Sequence, residues 1–146
     1  MSDVEFRELV IEDHGNIIEL FKRTPGITIR EADNLAVTEG YLVRNPGLSF
    51  VATFDSSLIG CVMCGHDGRR GYLQHLVVDE EYRGQGVGSE LVSRCIDTLK
   101  RIGIAKTHIF VLQSNQLANA FWAEKGWQLR HELNMYSYNS SSDANA

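Results

Sequence analysis

Residues 76–89 read Leu76-Val77-Val78-Asp79-Glu80-Glu81-Tyr82-Arg83-Gly84-Gln85-Gly86-Val87-Gly88-Ser89. An apolar strand runs into a loop with glycine at alternate positions, and the loop opens a long helix. Without Cβ atoms, Gly84, Gly86 and Gly88 let a ligand approach the main chain closely. The first N–H groups of a helix have no internal partners and point outward at the positive end of its dipole. That combination is an anion site and suits a pyrophosphate. Arg83 adds a positive charge beside it. A glycine-rich structural turn is the plainer reading, but the arginine, the glycine spacing, the strand before and the helix after coincide.

Two familiar phosphate loops do not fit. A Walker loop requires Gly-Lys-Ser/Thr at the helix start, where this chain has Gly88-Ser89-Glu90. The dinucleotide fingerprint G-x-G-x-x-G fails as well: counted from Gly84 its last position is Ser89, and from Gly86 it is Leu91.

Other reactive side chains are sparse. His75 is the residue type whose unperturbed pKa suits a base, yet a lone strand histidine is often structural. Regular alternation puts Tyr72, Gln74 and Leu76 on one strand face and His75 and Val77 on the other. Tyr72 and Tyr136 are candidates for substrate contact or proton relay, and His131 has no supporting context. Cys61 and Cys64 form a C-x-x-C within a strand, which sends them to opposite faces; buried apolar thiols are expected rather than a metal or redox pair. Glu31, Asp33 and Glu39 offer negative charge to a cationic amine, or are simply solvated. Arg69 and Arg70 offer a turn that would take a carboxylate or phosphate, or are plain surface charge.

The elements that must position these groups follow from periodicity. Strands are expected over 4–9, 49–54, 58–65, 72–78 and 107–112, with closing strands at 127 and 133–138. A helix capped by Asp13 carries Ile17, Ile18, Leu20 and Phe21, and a weaker one spans 31–43. Val87, Leu91, Val92, Cys95, Ile96, Leu99 and Ile102 recur at helical spacing, with Gly103 at the C-terminal glycine position. Ser114 or Asn115 caps a short helix bearing Ala118, Phe121 and Trp122. The middle meander predicts antiparallel pairing, and the strand–helix–strand over 72–112 a parallel crossover. The expectation is a mixed, mostly antiparallel α/β sheet of six or seven strands with about four helices on both faces. One domain is expected over 1–138, with a polar flexible tail over 139–146.

Composition agrees. The 146 residues hold 14 Lys+Arg against 19 Asp+Glu, a formal charge of −5, with 43% hydrophobic and 23% charged residues. That is globular composition, neither disordered nor collagen-like. The acidic balance argues against a nucleic-acid partner. The apolar runs are strand-length, far short of the roughly 20 residues of a membrane span. The first residues, Met1-Ser2-Asp3-Val4-Glu5, lack the basic and apolar parts of a secretory leader, and three cysteines suit a reducing compartment. A cytoplasmic location is therefore expected.

Arg83-Gly84-Gln85-Gly86-Val87-Gly88 resembles the Arg/Gln-x-x-Gly-x-Gly/Ala motif of the GNAT superfamily of acyl-CoA-dependent N-acetyltransferases. The apolar Leu76-Val77-Val78 precedes it as in that family. Asn115, Ala118, Phe121, Trp122 and Gly126-Trp127 resemble the family's Asn-x-x-Ala-x-x-Phe-Tyr-x-x-x-Gly-Phe segment. The resemblance covers about residues 4–138 and implies a GNAT-like fold with acetyl-CoA as co-substrate and no metal. It implies that amides of Gly84, Gly86, Val87, Gly88 and Ser89, with Arg83 and Gln85 nearby, cradle the CoA pyrophosphate. It also implies that Leu76, Val77 and Val78 line the pantetheine arm, which lies like an extra strand where two strands splay. The Val78 amide would polarise the thioester carbonyl. Asn115 would bind the pantetheine or acetyl end, and Phe121, Trp122 and Lys125 would flank the CoA chain.

The chain departs from the pattern where the family carries a tyrosine as acid for the leaving thiolate: Trp122 stands there, and indole does not supply that proton usefully. A thiol pKa near 8.5 makes thiolate a tolerable leaving group without an acid. With no obvious base, a water chain is the expected route for the substrate proton, with His75 and Tyr72 as alternatives. The leading expectation is acetyl transfer to a primary amine of a small molecule or peptide by direct attack. A CoA-binding sensor with little catalysis and a purely structural interaction domain are the alternatives. An exposed late strand offers a route to a homodimer.

Overall fold

The computed structural model describes residues 3–146. Its described residues divide into two compact units, one ending at Ile109 and one of Phe110–Ala146. In the first, β1 (Val4–Glu8), β2 (Phe50–Phe54), β3 (Ser57–His66), β4 (Gly71–Val78) and β5 (Thr107–Ile109) form one sheet in that spatial order. The pairs from β1 to β4 are antiparallel and β4–β5 is parallel. A parallel neighbour needs a long crossover, and α3 (Val87–Arg101) supplies it. β2 and β3 are joined by Asp55 and Ser56, both at positive φ (50° and 67°), the two-residue turn whose twist matches that of the strands.

Each sheet face is buried by a helix with matching periodicity. Ile17, Leu20 and Phe21 of α1 (His14–Lys22) pack with Leu9, Val51, Cys61, Met63 and Val77. On the other face, α3 buries Val87, Leu91, Val92, Cys95 and Leu99. Each such aliphatic side chain contributes about 1.5–3 kcal/mol on burial. Gly71 lets α3 and β5 close on the start of β4: a Cβ there would meet Leu99 Cδ1 at 2.7 Å and Thr107 Oγ1 at 2.8 Å. Cys61 and Cys64 do lie on opposite faces; all three cysteines are free and buried. Burial pushes the Cys61 thiol up to about 12, so it stays protonated.

Several expectations are corrected. The weaker helix begins later, as α2 (Leu35–Arg44), because Asn34 accepts from Val37 N–H and caps it there; a 3-10 turn, Glu31–Asp33, precedes it. The sheet has five strands among the described residues, not six or seven. Residue 127 and residues 133–138 form no strand, since alternating apolar residues make one only with a ladder partner. Leu133, Met135, Tyr136 and Tyr138 are instead exposed. The second unit's helix is α4 (Gln116–Glu124), capped by Asn115.

Asp13 stands before α1 but does not cap it. Its carboxylate instead accepts both Arg7 Nη groups at 2.8 Å and Val10 N–H at 2.9 Å, tying α1 to β1. Burial raises the Asp13 carboxyl, but the Arg7 bonds and the Val10 N–H outweigh it and hold the group below its usual value. Such a group stabilises the fold above the unfolded carboxylate pKa and loses that contribution as pH falls through the lower native value. Asp13→Asn is expected to cost about 1–3 kcal/mol at neutral pH. The gap from wild type should close below about pH 4; urea melts across pH measure both.

Candidate active site

The parallel ladder between β4 and β5 stops at Leu73↔Ile109. β4 continues to Val78 with no strand on that side among the described residues, while β3 still pairs with it through Gly60↔Val78. Asp79 N–H turns toward β3, donating to Ile59 O at 2.8 Å. Strand alternation therefore turns the main-chain groups of Val78, and of Leu76 two residues earlier, toward the open edge. There Arg83 Nε donates to Val78 O at 3.0 Å. Arg83 is thus folded back against the strand end with its guanidinium beside the open edge. Arg23, at the end of α1, clamps the same region by donating to Asp79 Oδ2 at 3.0 Å and Leu58 O at 3.1 Å.

The strand leads through a 3-10 turn, Glu80–Tyr82, to the glycine loop. Gly84 and Gly86 have φ of 78° and 85°, the left-handed region in which a side chain is strained. Gly86 is the N-cap of α3, and the first helical bond is Glu90 N–H to Gly86 O at 3.0 Å. The amides of Val87 and Gly88 have no carbonyl four residues back within the helix. Arg83, Gly84, Gln85 and Gly86 are exposed, and Val87 is buried as an anchor. A cleft of about 430 Å³ adjoins the loop, lined by Val4, Phe6, Gln85, Gly86, Val87, Glu90 and Arg94. Arg94 bonds Glu90 at 2.9 Å and stacks over the Phe6 ring at 5.1 Å. The sequence reading passed over Arg94, which lies two helical turns after Val87 on the same helix face.

β4 is irregular where His75 sits. Its register jumps from Met63↔Gln74 to Cys61↔Val77, so His75 and Leu76 together face Val62, a β-bulge. Regular alternation therefore fails: Tyr72, Gln74 and Val77 oppose Gly65, Met63 and Cys61 on the α1 side. His75 is on that side too, its ring 4.9 Å from that of Phe21. His75 Nε2 lies 2.7 Å from Asp33 Oδ1, and Asp33 is buried. Asp33 therefore faces His75 rather than solvent, whereas Glu31 and Glu39 are exposed. Tyr72 stacks with His108 at 5.6 Å. Arg69 and Arg70 are exposed on a turn whose amides bond Asp67.

In the second unit, the Asn115 side chain accepts from Ala118 N–H at 3.0 Å. Trp122 is buried, edge-on to Phe121 at 5.0 Å and 4.5 Å from the Trp127 ring. Lys125 Nζ lies 5.4 Å over the Phe121 ring.

A mixed sheet with an open strand edge beside a glycine-capped helix defines a class, and comparison with known proteins identifies it. The model of the acetyltransferase (GNAT) family matches residues 14–127, and the chain belongs to that family. An acetyltransferase of Photorhabdus laumondii is 30% identical over 134 residues, covering 88% of this chain and 90% of that protein. An acetyltransferase of Pectobacterium atrosepticum is 36% identical over 77 residues, 53% of this chain and 55% of its own, so the chain spans about half the length of that relative. The solved structure of the PaiA N-acetyltransferase of Thermoplasma acidophilum, in complex with coenzyme A, matches with a TM-score of 0.78 at 24% identity. It covers 87% of this chain and 91% of that one. At that identity the likeness concerns the fold. Among the described residues no helix is long and apolar enough to cross a membrane.

Gly86 provides a local test. A Cβ there meets nothing within 4 Å, so only backbone strain opposes it. Gly86→Ala is expected to cost about 1–2 kcal/mol, and Gly86→Asn, whose side chain tolerates this region, distinctly less. Denaturant melts of the two variants give the comparison.

Proposed function

We propose that this protein transfers an acetyl group from acetyl-CoA to a primary amine by direct attack. The carrying observation is the edge of β4 left open past Leu73, with Arg83 on Val78 O, leading through the 3-10 turn to the exposed helix N-terminus at Gly86, in a member of this family. The residues present suit the co-substrate. The amides of Gly84, Gly86, Val87, Gly88 and Ser89 meet the pyrophosphate, with Arg83 and Gln85 beside them. Leu76, Val77 and Val78 receive the pantetheine arm as an extra strand. Asn115, Phe121, Trp122 and Lys125 are the second unit's candidates for contact with the cofactor, on the family resemblance alone.

The chain has little covalent work to do. It holds an amine against a thioester carbon, which is chiefly positioning. The Val78 N–H donates to the carbonyl oxygen as negative charge grows there. Trp122 supplies no acid, so the sulfur leaves as thiolate or collects its proton from the amine or solvent. Tyr72, facing the α1 side, is assigned to contact with the acceptor.

Calorimetry should show acetyl-CoA binding. Thiol release should follow on addition of one member of a panel of amino acids, polyamines, aminoglycosides and N-terminal peptides. Binding with no release from any amine would instead favour a CoA sensor, and no binding would refute both. Gly86→Asp and Gly86→Asn share a shape but differ by one charge in the anion site. The aspartate variant should bind acetyl-CoA about tenfold more weakly than the asparagine variant, the equivalent of about 1.4 kcal/mol.

A further inference from the structure

Three non-glycine residues among those described have positive φ: Asp55 and Ser56, which make the β2–β3 turn, and His75, at 52°. His75 is the one that is not in a turn. It sits inside β4, at the bulge, in a conformation uncommon for a residue with a side chain. A glycine would hold this backbone with less strain. Strained residues of this kind persist where the surroundings over-determine them, and they cluster at functional sites.

The surroundings of His75 are specific. Nε2 donates to Asp33 Oδ1 at 2.7 Å, and the ring packs on Phe21 at 4.9 Å. Asp33 is itself fixed from several directions. Its Oδ2 accepts Arg30 N–H at 2.8 Å, and its carbonyl accepts His14 Nε2–H at 2.8 Å and the Thr38 hydroxyl at 3.4 Å. The groups facing His75 are therefore Asp33 from the 3-10 turn, Phe21 from α1 and Cys61, whose thiol donates to His75 O at 3.7 Å. His14 touches the assembly through Asp33. The carboxylate fixes the ring with its proton on Nε2 and leaves Nδ1 as the basic nitrogen. The side chain is 27% exposed, so the ring is only partly covered by Asp33 and Phe21. His75 lies three residues before Val78 in β4, so their main chains are at most about 11 Å apart, a span that a small amine and one water bridge.

We propose that His75 is the proton acceptor for the incoming ammonium and that Asp33 is the positioning residue that fixes its ring. The assignment rests on the acetyl-transfer reading above. One proton passes from the ammonium to His75 Nδ1, directly or through one water. The neutral amine attacks the acetyl carbon; the C–N bond forms and the C–S bond breaks. The second amine proton ends on the departing thiolate, and His75 returns its proton to solvent.

The test has two arms. In wild-type protein, 15N NMR at a pH where the imidazole is neutral should show the Nε2–H tautomer of His75, and Asp33→Ala should mix the tautomers. This arm needs no substrate, and its wild-type half needs no variant. In the second arm His75→Gly, which suits the backbone, should bind acetyl-CoA like wild type by calorimetry but lose at least about tenfold in kcat. Free imidazole should restore part of that loss in a concentration-dependent way, as it would not if His75 only held the fold. Asp33→Asn should lower kcat with little change in acetyl-CoA affinity. An Nδ1–H tautomer in wild type, wild-type turnover by His75→Gly, or loss that imidazole does not restore would overturn the proposal while leaving acetyl transfer intact. Indifference of the wild-type protein to acetyl-CoA would overturn acetyl transfer itself and this assignment with it.

Discussion

A strand that outruns its neighbour is the constraint on which the site depends. β5 pairs with β4 only as far as Leu73, and β4 runs on to Val78. Buried main-chain donors and acceptors demand partners, and an open sheet edge can take an extended chain as an extra strand. Arg83 takes one such acceptor, Val78 O. Directly after this edge the chain turns through Gly84 and Gly86 into α3, adding helix amides with no intrahelical partner. Edge and helix end together put polar main chain beside the apolar packing of α3. The packing of α3 through Leu91, Cys95 and Leu99 holds that helix end beside β4.

The opposite face of β4 is built differently. There α1, the 3-10 turn and α2 bring side chains, not main chain, to the strand. The bulge at His75 and Leu76 shifts the alternation so that Tyr72, Gln74, His75 and Val77 all come to the α1 side. The strand thus offers main chain along one edge and side chains on one face. That division suits a reaction in which one substrate is gripped by its backbone-like arm and the other is read by side chains.

Much of this was legible in residue order. The helical spacing from Val87 to Leu99 and the glycine at 103 located α3, and alternating glycines before it located the anion loop. Those signals are local, so they survive without tertiary information. What was hidden is non-local or irregular. Alternation along β4 assigned His75 and Tyr72 to opposite faces because a bulge leaves no composition signal in a run such as Tyr72-Leu73-Gln74-His75. Asp13 has a capping residue type but faces Arg7, a choice made by the fold of β1 against α1. Asp33 and His75 meet only once the α1–α2 connection is folded onto the sheet. Residues 133–138 alternate like a strand, yet alternation records amphipathicity and not the presence of a partner edge.

Amide chemical-shift mapping on titration with acetyl-CoA tests the central claim most directly. The account predicts that the largest changes fall on Leu76, Val78 and the amides from Gly84 to Gly88, the open strand edge and the helix end that follows it. Changes centred elsewhere, for instance on the β1–β2 side of the sheet, would contradict it.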